Sequence, residues 1–421
     1  MTLPEHHKEE LQRVDLSYGK AHIRELLGRP EKCRGAQRFN RFNKQRVYLS
    51  AECIPMELLK RRMVLMPQEI GLFDSLQDGQ ESWGVHFMVL SGTRFEHGYE
   101  HIISVENLLE AWKEFVRGKR TKPDVLNFQS RLMDNVLALH EEMKTKTYHH
   151  GSYRAFNISD PKPRSIHKAS IRDRLLHHAM YRILYPFFDR QFIADSYSCR
   201  IGKGTHRALN RFNQFARKVS LNNTRTCWVL KCDIKKFFAS INQTILIEIV
   251  KKHVSNPDTI WLMERVVESF ESTGPGKGLP LGNLTSQLLV NVYMNEFDQF
   301  VKHGLKQKWY IRYADDFVIM HHDKSVLLDV LPKMREFLEE KLALSLHLDK
   351  TFFKTASSGI DFLGWVHFPG HRVLRTTTKR RMCKRIKGTE TKKETVQSYL
   401  GLLRHGNTEK LKQEVAVLAS R

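Results

Sequence analysis

Residues 309–320 read WYIRYADDFVIM, two apolar arms flanking Ala314, Asp315 and Asp316. From 308 to 321 the side chains alternate on either side of that acidic turn, as a β-hairpin requires, so two carboxylates are lifted to its tip. About 80 residues upstream, LKCDIKKFF places a third carboxylate, Asp233, at the end of the apolar strand WVLKCDI. An Asp pair in a turn is by itself ordinary turn chemistry. Three acids brought together from separate strands are another matter, because like charges repel and their burial is costly without a counterion. Magnesium suits such a cluster, being a hard cation that bridges carboxylates to phosphate oxygens.

Charge points the same way. The 421-residue chain has a formal net charge of +23 and 41% hydrophobic residues, an ordinary core content with an extraordinary basic excess. Self-repulsion on that scale fits the binding of a polyanion, nucleic acid above all. The six cysteines, at 33, 53, 199, 227, 232 and 383, form no CxxC pair, so a zinc ribbon or disulfide framework is not expected. Histidine doublets at 149–150, 177–178 and 321–322 lack partners at metal-ligand spacing and read as solvated or helix-face residues. No apolar run reaches the roughly 20 residues of a membrane span, and the start MTLPEHHKEE has no signal-peptide core. A soluble cytoplasmic protein without a membrane partner is expected.

Along the chain, residues 1–100 carry scattered charge and a basic stretch from Arg34 to Arg46, with no assignable chemistry. Helical periodicity begins near 104, with Leu108, Leu109, Trp112 and Phe115 on one face, and Leu132, Val136, Leu137 and Leu139 on another. The proline-punctuated YRAFNISDPKPR reads as strands, and a helix follows from Ser170 to about Phe188. After Asn223 the rhythm is strand, helix, helix, hairpin, helix, strand, the order of a split β-α-β layer with helices behind it. Residues 285–303 are expected as a helix, Val326 to Leu338 as the next, and Leu342, Leu344, Leu346 and Leu348 as a strand. The tail from His371 is densely basic, then helical.

Seven blocks appear in order: PRSIHKASIRDR, DSYSCRIGKGTHRAL, VLKCDIKKFF, GLPLGNLTSQ, YADD, LHLDKT and FLGW. Together they resemble the reverse transcriptases over residues 104 to 390. The resemblance implies an α/β (α+β) right-hand polymerase. Its parts are an N-terminal extension (1–100), fingers with N-terminal helices (101–225), a palm (226–368) and a basic helical thumb (369–421). It further implies that Asp233, Asp315 and Asp316, with the Ile234 carbonyl, hold two magnesium ions, for which manganese is a substitute. Lys350 stands near the leaving pyrophosphate. Lys162, Arg164, Phe238, Leu281, Gly282 and Gln287 would surround the nucleotide, Arg164 with its phosphate-binding fork and Phe238 as a wall against a ribose 2'-hydroxyl. Phe362, Leu363, Gly364 and Trp365 would grip the primer end. Arg375, Lys379, Arg380, Arg381, Lys384 and Arg385 would contact phosphate backbone.

Most of the family carries QGxxxSP where this chain has Leu281-Gly282-Asn283-Leu284-Thr285-Ser286-Gln287. Those departures resemble the enzymes of diversity-generating retroelements, which copy template RNA with errors at adenines. Template RNA, an RNA/DNA hybrid, deoxynucleotides and a small basic helical accessory protein are the implied partners. Two other readings stand beside this one: a retron, defence-type or group II intron-like reverse transcriptase, and an RNA-binding maturase that no longer polymerises.

Overall fold

The computed structural model describes residues 95, 98–159, 163–387 and 393–419. The chain divides into units 1–86 and 87–421, and the first lies wholly outside the described residues. The basic stretch Arg34 to Arg46 falls there as well. Mixed helix and strand then follow in the order the sequence suggests.

Helices α1 (Tyr99–Ile103), α2 (Val105–Phe115) and α3 (Pro123–Gln129) pack against α5 (Ile171–Asp189), and α4 (Leu132–Lys144) packs on those three. The start of α5 is fixed locally, since the Ser170 hydroxyl accepts the Asp173 N–H at 3.1 Å. Its buried stripe of Leu175, Leu176, Ala179 and Leu184 faces the helices before it. Between α4 and α5, β1 (Arg154–Ile158) and β2 (Arg164–Lys168) form a solvent-facing antiparallel hairpin.

Helix α6 (Thr205–Val219) leads to the central sheet, built from β3 (Trp228–Asp233), β4 (Tyr310–Tyr313), β5 (Asp316–His321) and β6 (Phe352–Thr355). Its order is β4-β5-β3-β6, antiparallel throughout. Period-two alternation sorts its side chains into two cores. Leu230, Cys232, Tyr310, Phe317 and Ile319 join one core with helices α8 (Gln243–His253), α10 (Leu284–Gln299) and α11 (Lys324–Leu342). Val229, Ile311, Val318 and Met320 join another with α6 and the C-terminal elements. Each such side chain contributes about 1.5–3 kcal/mol on burial. A one-residue slip of β3 would exchange its faces and bury Lys231 and Asp233 among the apolar groups of the larger core, so the register that sets Asp233 opposite Asp316 is tightly specified.

A second sheet of β7 (Ile360–Phe362), β8 (Trp365–Phe368) and β9 (His371–Leu374) carries the chain to α12 (Thr376–Ile386), α13 (Lys393–Leu403) and α14 (Glu409–Ala419). Short helices α7 (Phe237–Ser240) and α9 (Pro257–Val267) complete the unit.

One expectation needs correction. The alternation Leu342, Leu344, Leu346, Leu348 is not a strand: Leu342 ends α11, Ala343 turns left-handed with φ 47°, and only Leu346 bridges to Ile234. Leu348 opens a short 3-10 turn and is 70% exposed, while the fourth strand of the sheet is Phe352–Thr355. The histidine doublet at 177–178 lies on helix α5, the helix-face placement of the two expected for it. His177 is buried, its Nε2 lies 3.2 Å from His150 Nε2, and burial drives its pKa down to about 3.

Candidate active site

The acidic turn is the junction of β4 and β5, with Ala314 in the left-handed region at φ 56°. Asp316 opens β5 directly across from Asp233, and the Asp315 carbonyl accepts the Ile234 N–H at 3.1 Å. The three expected acids and Ile234 are therefore gathered at one end of the sheet. Burial raises the Asp315 carboxyl above its usual range, and the neighbouring Asp233 charge adds to it. Burial likewise pushes Asp316 up to about 6, against the pull of Lys231 and with the push of Asp315 and Asp233.

Two ammonium groups answer these charges. Lys350 Nζ, from the LHLDKT segment, lies 2.7 Å from Asp233 Oδ1. Lys231 Nζ lies 2.9 Å from Asp316 Oδ1. Sequence reasoning passed over Lys231, although a lysine inside an apolar strand, two residues before Asp233 and hence on the same face, is a legible signal. Among the described residues no three His, Cys, Asp or Glu side chains converge as a ready-made chelate. Magnesium does not need one, because it is commonly held by one or two carboxylates plus substrate phosphates and water. The donor set fits it: hard oxygens, two of the acids resisting ionisation, and a buried Asp316 Oδ1 that receives no hydrogen bond in line despite the nearby ammonium.

Strand β2 carries Arg164. The Arg164 guanidinium is near enough to lower the Asp315 pKa, so the expected phosphate-binding arginine and the acids share one field. Lys162 lies outside the described residues. The strand is docked on the loop holding Leu281 and Gly282. His167 donates its N–H to the Leu281 carbonyl at 2.9 Å, and Asn283 Nδ2 donates to the His167 carbonyl at 2.8 Å. Gly282 is required there. Its φ is +106°, and a Cβ would stand 2.8 Å from Ile166 Cγ2. Phe238 is half-buried with its ring edge-on to Phe237, and its carbonyl accepts the Leu279 N–H at 2.8 Å. Gln287 lies half-buried in the first turns of α10, its carbonyl accepting from Asn291 Nδ2 at 3.3 Å.

The FLGW hairpin turns on Leu363 and Gly364, with φ 50° and 85°, the paired positive values of a two-residue turn. Phe362 and Trp365 close the turn but are 0% and 1% exposed, packed with Phe212 and the C-terminal helices. Both rings are therefore covered by the protein itself. Only Leu363 and Gly364 stand at the tip, on an apolar base.

The basic helix α12 is partly engaged within the protein. Arg375 pairs with Asp361, and Lys379 Nζ lies 3.0 Å from Glu414 Oε2. Arg380, Lys384 and Arg385 are exposed and Arg381 is half-buried, while Met382 and Ile386 anchor the opposite side in the core.

The site is thus an antiparallel sheet with three acids at one end, cations beside them and helices behind. Residues 158–367 match the family profile described as reverse transcriptase (RNA-dependent DNA polymerase). The chain thus carries the domain of an RNA-directed DNA polymerase. It is 25% identical over 290 residues to protein YkfC of Escherichia coli, spanning 60% of this chain and 74% of that protein. It is 22% identical over 333 residues to the group II intron-encoded protein LtrA of Lactococcus lactis, spanning 62% of this chain and 53% of LtrA. Among solved structures, apo telomerase from Candida tropicalis aligns over 56% of this chain and 58% of its own, at 14% identity and TM-score 0.40. Among the described residues no helix is long and apolar enough to cross a membrane.

Proposed function

We propose that this chain copies a template RNA into cDNA in the cytoplasm, with errors at template adenines, as a reverse transcriptase of the diversity-generating retroelement type. Asp233 opposite Asp316, with Asp315 at the turn between strands, is the observation that carries the polymerase chemistry. Asp233, Asp315 and the Ile234 carbonyl would hold two magnesium ions, with Asp316 assisting. A divalent ion held there would supply Lewis-acid chemistry, favouring ionisation of a primer 3'-hydroxyl and neutralising charge on a departing pyrophosphate.

The protein's own groups orient and screen. Arg164 offers a planar fork to the triphosphate beside Asp315. Lys350 is poised to release Asp233 and to donate a proton, or charge, to the leaving pyrophosphate. Phe238 excludes a 2'-hydroxyl, Lys162 joins Arg164, and Gly282 and Gln287 line the nucleotide site. Leu363 and Gly364 bear on the primer end, and the α12 cations track the phosphate backbone of the hybrid. Helical fingers before β3, a palm around the central sheet and a thumb from α12 onward are the corresponding parts. A small basic helical accessory protein completes the complex.

The error-prone reading rests on Leu281. An aliphatic side chain supplies no amide to hold the nascent pair, so a mispair loses less than it would against glutamine. A second reading, an accurate group II intron-like enzyme, is favoured by the likeness to LtrA. Primer extension on an RNA template with magnesium, followed by sequencing, separates them. Substitutions concentrated opposite adenine, reduced in a Leu281→Gln enzyme, support the first reading. Accurate copying by the unaltered protein supports the second, and no extension with template RNA and accessory protein supplied refutes both.

A further inference from the structure

Strand β4 has one residue that its pattern does not explain. Tyr310 and Arg312 alternate toward the larger core, yet Arg312 is an arginine, and it is 0% exposed. Its guanidinium has five N–H donors, and five acceptors meet them. Nε and Nη2 form a bidentate pair with Asp298 at 2.8 and 2.7 Å. Nη2 also reaches Ser196 Oγ at 3.1 Å, and Nη1 reaches Asn291 Oδ1 at 3.3 Å. The remaining N–H goes to the Ala314 carbonyl at 3.2 Å. Asp298 is itself 0% exposed and accepts the Tyr310 hydroxyl at 2.7 Å.

We propose that Arg312 is a positioning residue for catalysis, holding the acidic turn through the Ala314 carbonyl with a guanidinium that α10 and Ser196 lock in place. Stability alone does not call for this arrangement. A buried ion pair carries a heavy desolvation cost, and apolar side chains of similar volume often serve a fold as well or better. What an apolar pair lacks is a donor for the Ala314 carbonyl. Ala314 also needs one, because a non-glycine residue in the left-handed region is strained and persists only where its surroundings over-determine it. The turn is fastened on two sides: Arg312 holds the carbonyl of Ala314, and Ile234 donates its N–H to the next carbonyl, of Asp315. Since Asp315 and Asp316 follow Ala314 directly, a small rotation at Ala314 swings both carboxylates away from Asp233. Lysine cannot replace the fork, having three donors on a single nitrogen.

This inference rests on the polymerase reading, and two variants test it. Arg312→Lys keeps the charge facing Asp298 but loses the reach to Ala314. Ser196→Ala loosens the fork by one acceptor and leaves the ion pair intact, so it serves even if the lysine variant does not fold. Each is compared with the unaltered protein for kcat and nucleotide KM in primer extension, template–primer Kd by fluorescence anisotropy, melting temperature, and amide hydrogen exchange across residues 312–316 without metal. We expect kcat to fall at least tenfold for Arg312→Lys and at least threefold for Ser196→Ala, with Kd unchanged within twofold and exchange in that peptide accelerated in both. Wild-type kcat in Ser196→Ala or in a folded Arg312→Lys protein overturns the proposal. So does a loss of kcat matched by an equal loss of template–primer affinity, or one with exchange unchanged. An unaltered protein that does not extend a primer refutes the polymerase reading instead, while the exchange measurement still reports on the turn.

Discussion

Replacing Gly282 with alanine sets two local energies against each other. The new methyl group meets Ile166 Cγ2 at 2.8 Å, and the residue must hold φ +106°. The backbone strain is about 1–3 kcal/mol, and the overpacking adds about 1 kcal/mol or more unless Ile166 turns aside. What keeps the loop against β2 is chiefly the pair of hydrogen bonds between His167 and the 281–283 segment, worth about 0.5–1.5 kcal/mol each. Strain of roughly 2–4 kcal/mol therefore equals or exceeds a docking energy of roughly 1–3 kcal/mol. The loop lets go of β2 rather than deforming in place, and Arg164 on that strand loses its fixed position near Asp315. We expect the nucleotide KM of Gly282→Ala to rise ten- to hundredfold, with a smaller fall in kcat and a melting temperature lowered by only a few degrees. Steady-state primer extension over a range of deoxynucleotide concentrations measures it. A Gly282→Ala enzyme with unchanged KM would show that β2 does not depend on this contact and refute the reasoning.

Asp315→Asn should reduce extension by about a thousandfold, since charge stabilisation at such a centre is worth several kcal/mol. It should also raise the melting temperature of the metal-free protein at neutral pH, because burial and Asp233 disfavour the ionised carboxyl; a lower melting temperature would contradict that cause. His177 is neutral when folded, with its pKa driven from 6.5 to about 3 by burial, so the unfolded chain binds the extra proton between those values. Its contribution to stability is present above pH 6.5 and is lost as pH falls toward 3. At about 1.4 kcal/mol per pH unit the full effect is roughly 5 kcal/mol, and denaturant titrations at pH 7 and 4.5 should show a flatter pH dependence for His177→Leu. Template affinity should fall on the order of a thousandfold between 50 and 200 mM salt if about six phosphates are contacted. Arg380→Gln with Lys384→Gln should lower the slope of log affinity against log salt by about two; an unaltered slope would remove α12 from the interface.

The amino-acid sequence alone determined the elements whose cause is local. Alternation around Ala314-Asp315-Asp316 makes a hairpin wherever it is placed, the apolar run before Asp233 makes a strand, and Ser170 begins a helix because its own hydroxyl caps it. The likeness of the seven blocks to reverse transcriptases was equally open to a reader of the sequence, and the family match over residues 158–367 agrees with it. Other features depend on what lies opposite in space. Leu342 to Leu348 alternate like a strand, yet only Leu346 finds a pairing partner, because a strand is made by its neighbour as much as by its own pattern. Phe362 and Trp365 look like a gripping surface until the C-terminal helices cover them. Arg375 and Lys379 look like free phosphate ligands until Asp361 and Glu414 appear beside them. Arg312 and Asp298 are separated by a π-helical turn (Phe300–Gly304) and a short loop, and nothing in that spacing says that one carboxylate takes up half of a guanidinium fork. Local pattern reaches as far as the hydrogen bonds and faces of a single element. Which charges meet, which rings are covered and how the acidic turn is held are long-range properties, fixed only when helix α10 and the 195–198 segment close over β4.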